Sequence, residues 1–175
     1  KKFVYMVAHD WDCVYPGLKL ADLIVTQHQQ QSTALKKNLK LSSLVMPSMI
    51  KVASTKKIGK RKYILWVGRT DDWKRPLTYI DLARRYPQEK FVMICRSGKN
   101  KTLFTQVKTQ AAFLSNLSFL PAVAPEKILN FFRQAKALIN TSTTEGFPNT
   151  FLQAGVAKTP VLSVKVNPDN YIIKN

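Results

Sequence analysis

Ala137-Leu138-Ile139-Asn140-Thr141-Ser142-Thr143-Thr144-Glu145-Gly146-Phe147-Pro148-Asn149-Thr150-Phe151-Leu152-Gln153-Ala154 is the stretch on which the reading of this chain turns. Its apolar opening stops at small hydroxyl residues. One acid, one glycine and one proline follow, and then helix-forming sequence, so the order is strand, turn, helix. Proline suits a first helical turn because the N–H it lacks would have no partner there. The unpaired N–H groups of that turn face outward and favour an anion. Glu145 stands beside this anion site, where a second negative charge is out of place unless it grips hydroxyl groups on the ligand. Phosphate next to hydroxyls is the chemistry of a sugar nucleotide.

The same alternation extends upstream and downstream. Tyr63 to Val67 reads as a strand, and Pro76 to Tyr86 as a helix with Leu77, Ile80, Leu82 and Ala83 inward. Phe91 to Ile94 is a strand, residues 101–114 a helix, Leu117 to Leu120 a strand and Pro125 to Arg133 a helix. Ala137 to Asn140, Pro148 to Ala157 and Val161 to Val164 then read as strand, helix and strand. Apolar strands separated by helices predict parallel βαβ units: an α/β fold with a Rossmann-like parallel sheet and flanking helices. Ligands of such sheets bind beyond the carboxyl ends of the strands. Gly68, Arg96, Pro121 and Glu145 each follow a strand, so one crevice can collect them all.

The N-terminal third is a shorter version of the same pattern. Phe3 to Ala8 reads as a strand ending at His9-Asp10-Trp11-Asp12, followed by a strand at Leu23-Ile24-Val25 and a polar helix over 28–38. Leu44-Val45-Met46 is a further strand closed by Pro47. The expected organisation is the remnant of one α/β domain in 1–48, a basic linker over 49–62 and a second α/β domain over 63–175. The chain starts in mid-strand and stops soon after Tyr171-Ile172-Ile173, so it reads as a piece of a longer protein, truncated at its C-terminal end.

Of the 175 residues 45% are hydrophobic, enough for a sizeable core. Cys13 and Cys95 fit no metal spacing, and Cys95 at the end of an apolar strand reads as a buried reduced thiol. No apolar run is long enough to span a bilayer and no signal peptide is visible, which makes a reducing cytoplasm the default compartment. The formal net charge of +18, from 28 basic and 10 acidic residues, calls for an anionic partner. Lys51, Lys56, Lys57, Lys60, Arg61 and Lys62 crowd one acid-free segment, readable as a solvated linker, a patch for an anionic membrane surface or a nucleic-acid contact.

Gly68-Arg69-Thr70-Asp71-Asp72-Trp73-Lys74-Arg75-Pro76 follows the first strand of the alternating part. The glycine is expected to end that strand where backbone passes closely. Arg69 and Lys74 share the loop ahead of a helix that Pro76 opens, with Arg75 as a further base. An arginine fork plus a lysine point charge suits a diphosphate, and bases at a helix N-terminus run against the dipole unless an anion sits there. The loop lacks G-x-G-x-x-G, and it lacks the Lys-Ser/Thr ending of a P-loop.

Gly68-Arg69 with Lys74-Arg75-Pro76, followed by Glu145-Gly146-Phe147-Pro148-Asn149, resembles the donor-binding half of a family 4 glycosyltransferase of GT-B fold. Ala21-Asp22-Leu23-Ile24-Val25-Thr26-Gln27 resembles the last strand–helix unit of that family's N-terminal domain. Val45-Met46-Pro47-Ser48 resembles its crossing into the C-terminal domain. The resemblance implies that Arg69 and Lys74, beside Gly68, hold the donor diphosphate, with backbone N–H groups at Phe147 and Asn149. It implies that Glu145, the first acid of an E-x7-E motif, contacts the donor sugar. Gln153 stands where the second acid normally grips the ribose; its amide exchanges hydrogen bonds with hydroxyls without the strength of a charge. Pro121 and Ala122 correspond to the segment that meets the base edge. His9 corresponds to a catalytic residue of the N-terminal domain, although only about a dozen residues separate it from Ala21-Asp22. Of the other rings, Trp66 is expected in the core, His28 exposed at its helix start, and Trp73 either shielding the phosphates or packing.

The resemblance further implies hexosyl transfer from a nucleotide-diphosphate sugar to a saccharide or lipid-linked acceptor, with retention, no metal and no cofactor. Without the acceptor half, this piece alone is expected to bind nucleotide and not turn over. Asp10-Trp11-Asp12 has the D-x-D spacing of a metal-dependent transferase, but it stands far in sequence from the diphosphate loop. The rival reading is a non-catalytic basic module for polyanions or membranes, with steep salt dependence. No aromatics interleave with the lysine-rich segment, which argues against single-stranded nucleic acid. The two readings combine if a basic face docks the enzyme on the inner face of an anionic membrane. A nucleotide-sugar epimerase or dehydrogenase is disfavoured because the glycine fingerprint and a Tyr-x-x-x-Lys pair are missing.

Overall fold

The computed structural model describes residues 2–50 and 59–173. Lys51, Lys56 and Lys57 of the basic segment lie outside the described residues. Two compact units form, one from Lys1–Ile50, Thr144–Asn149 and Val166–Asn175, the other from Lys51–Thr143 and Thr150–Lys165. Contacts rather than chain order define them: two segments of the latter half of the chain pack with its first fifty residues.

The first unit holds three short parallel strands, β1 (Val4–Met6), β2 (Leu23–Thr26) and β3 (Leu44–Val45), side by side in that order. Two 3-10 turns, Asp10–Val14 and Pro16–Leu20, separate β1 from β2, and helix α1 (Gln29–Leu39) joins β2 to β3. Val7, Cys13, Leu18, Ile24 and Leu35 form its core.

The second unit follows the alternation read from the sequence. Strands β4 (Tyr63–Arg69), β5 (Phe91–Arg96), β6 (Leu117–Leu120), β7 (Ala135–Asn140) and β8 (Val161–Ser163) alternate with helices α2 (Pro76–Arg85), α3 (Lys101–Ala112), α4 (Pro125–Gln134) and α5 (Asn149–Val156). The strands form one all-parallel sheet in the order β6-β5-β4-β7-β8. This is a Rossmann-like parallel sheet with flanking helices. Phe91 through Cys95 are all buried, as expected of a strand covered on both faces. Among the described residues no helix is long and apolar enough to cross a membrane.

Three packing details depart from the sequence reading. On α2, Leu77, Ile80, Leu82 and Ala83 face the core as expected, but the largest buried side chain there is Tyr79, which the periodicity left out. Its hydroxyl reaches the carbonyls of Ile64 at 2.9 Å and Val92 at 3.0 Å, which satisfies the one polar atom that opposes its burial. Gly68 does not end β4: it pairs with Cys95, and β4 runs on to Arg69. A Cβ there would meet the Trp66 indole at 2.7 Å, so a side chain of the protein itself makes the close approach. Helix α5 starts at Asn149, leaving Pro148 just outside it. Both cysteines are buried and free, and burial pushes Cys13 up to about 11 and Cys95 up to about 12.

Candidate functional site

The sheet order places a topological switch point in the second unit. From β4 the chain steps outward through β5 and β6, then returns to the opposite side of β4 as β7. The loops leaving β4 and β7 therefore diverge at one point on the carboxyl edge, where open α/β sheets take their ligands. Arg69 ends β4, and residues 71–75 lead to α2.

Hydrogen bonds lace these two loops together. The Trp66 indole N–H donates to the Thr141 hydroxyl at 3.0 Å, and that hydroxyl donates to the Lys74 carbonyl at 2.6 Å. The Thr143 N–H donates to the Trp73 carbonyl at 2.8 Å. The Asn140 side chain accepts the Ser142 N–H at 2.8 Å, which folds the chain over the end of β7. Thr141 and Ser142 are buried, so this anchoring is internal structure rather than surface decoration. Trp66 is core, as expected, and Trp73 is half-buried and braces the second loop through its backbone.

Asp71, which the sequence reading gave no role, is the electrostatic centre of the first loop. It is 3% exposed and pairs with Arg69 at 2.8 Å. A buried carboxylate both fixes the guanidinium and offsets part of its attraction for a ligand, so Arg69 acts as an oriented donor. A 3-10 turn closed by Lys74 N–H to the Asp71 carbonyl (2.9 Å) carries the chain round to Lys74, which is half-buried. Arg75 follows with φ 48° and is exposed, and Pro76 takes the first position of α2. Pro121 and Ala122 lie exposed after β6, two strands from β4. Gln153 is half-buried on α5, one turn after Asn149, which is exposed.

The remaining candidates lie in the first unit. Glu145 is 7% exposed. The Phe147 N–H is donated to the Gln27 side-chain oxygen at 3.0 Å, and the Gln27 amide nitrogen donates to the Ser48 hydroxyl at 3.2 Å. In this conformation an amide expected to meet phosphate is held by a side-chain carbonyl. Gly146 is required here: a Cβ would run into that Gln27 oxygen and the Ala8 carbonyl. Phe147 also packs edge-on against Tyr171 at 5.1 Å.

His9 is half-buried and stacks on Trp11 with ring centroids 4.4 Å apart. Asp10 and Asp12 do not converge on a shared point. Asp12 accepts the N–H groups of Ala8 and His9, both at 3.0 Å, while Asp10 faces His28 at 3.4 Å and accepts from the Gln31 amide at 3.2 Å. Among the described residues no group of three His, Cys, Asp or Glu is placed to hold a metal ion.

His28 is not exposed, contrary to the sequence reading; it is 4% exposed, with Asp10 at 3.4 Å on one ring nitrogen and Asp169 at 3.6 Å on the other. Asp169 also accepts the N–H groups of Gln29 and Gln30, at 2.6 and 2.9 Å, and so caps α1. The cap comes from a residue 140 positions along the chain, and local sequence carries no signal for it.

The model of one protein family, glycosyl transferases group 1, matches residues 50–175. No curated protein matches the sequence. Among solved structures, the chain is similar to a point mutant of TarM of S. aureus in complex with Fondaparinux, alpha-GlcNAc-glycerol and UDP. The identity is 12% and the TM-score 0.76, over 99% of this chain and 41% of that one. It is similar to the pneumococcal O-GlcNAc transferase GtfA in complex with UDP and GlcNAc, at 14% identity and TM-score 0.67, over 99% and 40%. It is also similar to an alpha,alpha-trehalose-phosphate synthase (UDP-forming) from Burkholderia vietnamiensis, at 12% identity and TM-score 0.68, over 93% and 54%. At such identities the likeness is one of fold, that of the GT-B glycosyltransferases, and the chain spans between 40% and 54% of the length of these three.

Proposed function

We infer the function from the family: the chain belongs to the glycosyl transferases, group 1. It carries the donor side of an enzyme that moves a hexosyl group from a nucleotide-diphosphate sugar to an acceptor hydroxyl. The finer assignment is a family 4 member acting with retention and without a metal. The observation that supports this reading best is the lacing of the β4 and β7 loops at the switch point, through Thr141 to Lys74 and Thr143 to Trp73. It fixes the cation-bearing loop where a parallel sheet takes its ligand.

In this reading Arg69, aimed by Asp71, and Lys74 take the diphosphate. As the bond from the anomeric carbon to the leaving oxygen breaks, negative charge grows on that oxygen. Cations already in place stabilise the charge without reorganising, at about 2–4 kcal/mol of barrier for each well-placed contact. Glu145 orients the donor sugar, Gln153 takes the ribose, Pro121 and Ala122 meet the base, and His9 serves the acceptor side. The similar GtfA in complex with UDP and GlcNAc, and the similar UDP-forming trehalose-phosphate synthase, make uridine diphosphate the first nucleotide to try.

A thermal-shift panel of nucleoside diphosphates and sugar nucleotides tests the proposal. A ligand present at about 100 times its Kd stabilises the fold by about 2.7 kcal/mol. That raises the melting temperature of a chain this size by about 5–10 °C. Lys74→Ala should abolish the shift for the diphosphate. Glu145→Ala should spare the diphosphate and weaken the sugar nucleotide. A silent panel, or shifts indifferent to both variants, favours the non-catalytic polyanion-binding module instead.

A further inference from the structure

Six cations stand along one edge of the second unit: Arg69, Lys74 and Arg75 around the end of β4, and Arg96, Lys99 and Lys101 around the end of β5. The two loops are one platform. The Gly98 N–H donates to the Thr70 hydroxyl at 2.9 Å, the Thr70 N–H donates to the Arg96 carbonyl at 3.0 Å, and the Asn100 amide donates to Asp72 at 3.2 Å. A Cβ on Gly98 would meet the Thr70 carbonyl at 2.8 Å, so the loops touch backbone to backbone.

Three local choices on this platform each oppose stability. Arg69 and Arg96 are register partners on adjacent parallel strands, which sets like charges side by side. Arg75 holds φ 48°, a left-handed backbone region that strains a residue bearing a side chain. Lys101 opens α3 and Arg75 precedes α2, although bases are disfavoured at helix N-termini; neither helix has an acid in its first turn. Of the carboxylates on these two loops, Asp71 is buried on Arg69 and Asp72 accepts from the Asn100 amide. Arg75, Arg96, Lys99 and Lys101 are exposed, and no carboxylate among the described residues pairs with them. Penalties of one sign gathered at one edge mark a binding surface rather than a solvated face.

We propose that this platform binds an acceptor carrying several phosphate or sulfate groups, held by Arg75, Arg96, Lys99 and Lys101 beside the donor diphosphate. The proposal rests on the transferase reading for the word acceptor alone. Arg69 and Lys74 are the residues assigned to the donor diphosphate, and the four exposed cations Arg75, Arg96, Lys99 and Lys101 remain for a second anion. A flat anionic membrane is the weaker occupant, because covering this edge would also cover the mouth of the donor site at the switch point. A flexible chain of anionic groups can lie along the edge and leave the mouth open. Arginine and lysine together suit this ligand, the first forking two oxygens and the second adding a mobile point charge.

Binding of linear inorganic polyphosphate, and separately of a sulfated oligosaccharide, is measured by fluorescence titration on the chain, with and without saturating nucleoside diphosphate. The platform variant is Arg96→Gln/Lys99→Gln/Lys101→Gln. The control, with equal loss of charge, is Lys19→Gln/Lys36→Gln/Lys37→Gln in the first unit. The platform variant should lose about tenfold or more in polyanion affinity, and the control no more than about twofold. The nucleoside diphosphate should not displace the polyanion, and it should bind the Lys99→Gln variant as it binds the parent. Binding of polyphosphate alone assigns the site to phosphate, and binding of both probes assigns it to either group. Equal losses in variant and control, displacement by the nucleoside diphosphate, or binding of neither probe overturns the proposal, as does retention only on anionic vesicles. Melting curves check folding, and Lys99→Gln alone, on an exposed loop residue, keeps the test open if the triple variant unfolds. Should the chain bind no nucleoside diphosphate while the polyanion still depends on these three residues, the platform stands and the transferase reading falls.

Discussion

Replacing Thr141 by valine removes one hydroxyl and almost no volume, and it cuts the link between the β4 and β7 loops. Two groups lose their partner: the Trp66 indole N–H, on a residue 2% exposed, and the Lys74 carbonyl, on a half-buried one. A buried donor left unmade costs about 1–3 kcal/mol, and the second bond, whose acceptor regains some water, about 1 kcal/mol. The expected loss is therefore about 2–4 kcal/mol, a fall in melting temperature of about 5–15 °C for a chain of this length. Urea denaturation followed by tryptophan fluorescence reads it as a lower midpoint at unchanged slope. Thr141→Ser keeps the hydroxyl and should lose only about 1 kcal/mol, for the methyl group. Combining Thr141→Val with Trp66→Phe should reveal a coupling of about 1 kcal/mol, since the indole donor is then already gone. The reasoning fails if Thr141→Val unfolds within about 0.5 kcal/mol of the parent, or if the serine variant falls equally far.

Asp169→Ala removes the carboxylate that accepts from Gln29 and Gln30, so α1 should fray, with a loss of about 1–2 kcal/mol and faster hydrogen exchange at those two amides; unchanged exchange would contradict the cap. Burial raises Cys13 to about 11 and Cys95 to about 12 from 9.0, so above about pH 9 the unfolded chain binds fewer protons than the folded one. Stability from the thiols is whole below that pH and lost as pH rises through about 11 and about 12. Cys95→Ala should flatten this alkaline decline in a pH series of melting temperatures, and a decline as steep as the parent's would refute the assignment.

The strand–helix alternation was legible because parallel strands covered on both faces are short apolar runs, and every one from Tyr63 onward formed. The cation loop was legible for a related reason: Arg69 and Lys74 fall between a strand end and a proline that can only open a helix. Partners that depend on distant chain were not. Local pattern gives His28 a solvent position at a polar helix start, and its burial becomes clear only with Asp10 and Asp169, both distant in sequence, on its two ring nitrogens. Tyr79 escaped because a tyrosine is inward only when its hydroxyl finds a partner, here two carbonyls on neighbouring strands. Asp71 looked like one acid in a polar loop, and its burial against Arg69 became visible only once the platform of Thr70 and Gly98 was in place. Gln27 lies in a segment read as ordinary strand and helix start, so its hold on the Phe147 N–H had no local trace.

Because the first unit is assembled from Lys1–Ile50, Thr144–Asn149 and Val166–Asn175, its parts leave the ribosome far apart in time. At about 5–20 residues per second, α1 waits about ten seconds after synthesis before Asp169 emerges to close its end. The sheet of β4 to β7 has its strands in hand before then. Order of synthesis therefore makes the strands of the second unit available to one another before the first unit has all three of its segments.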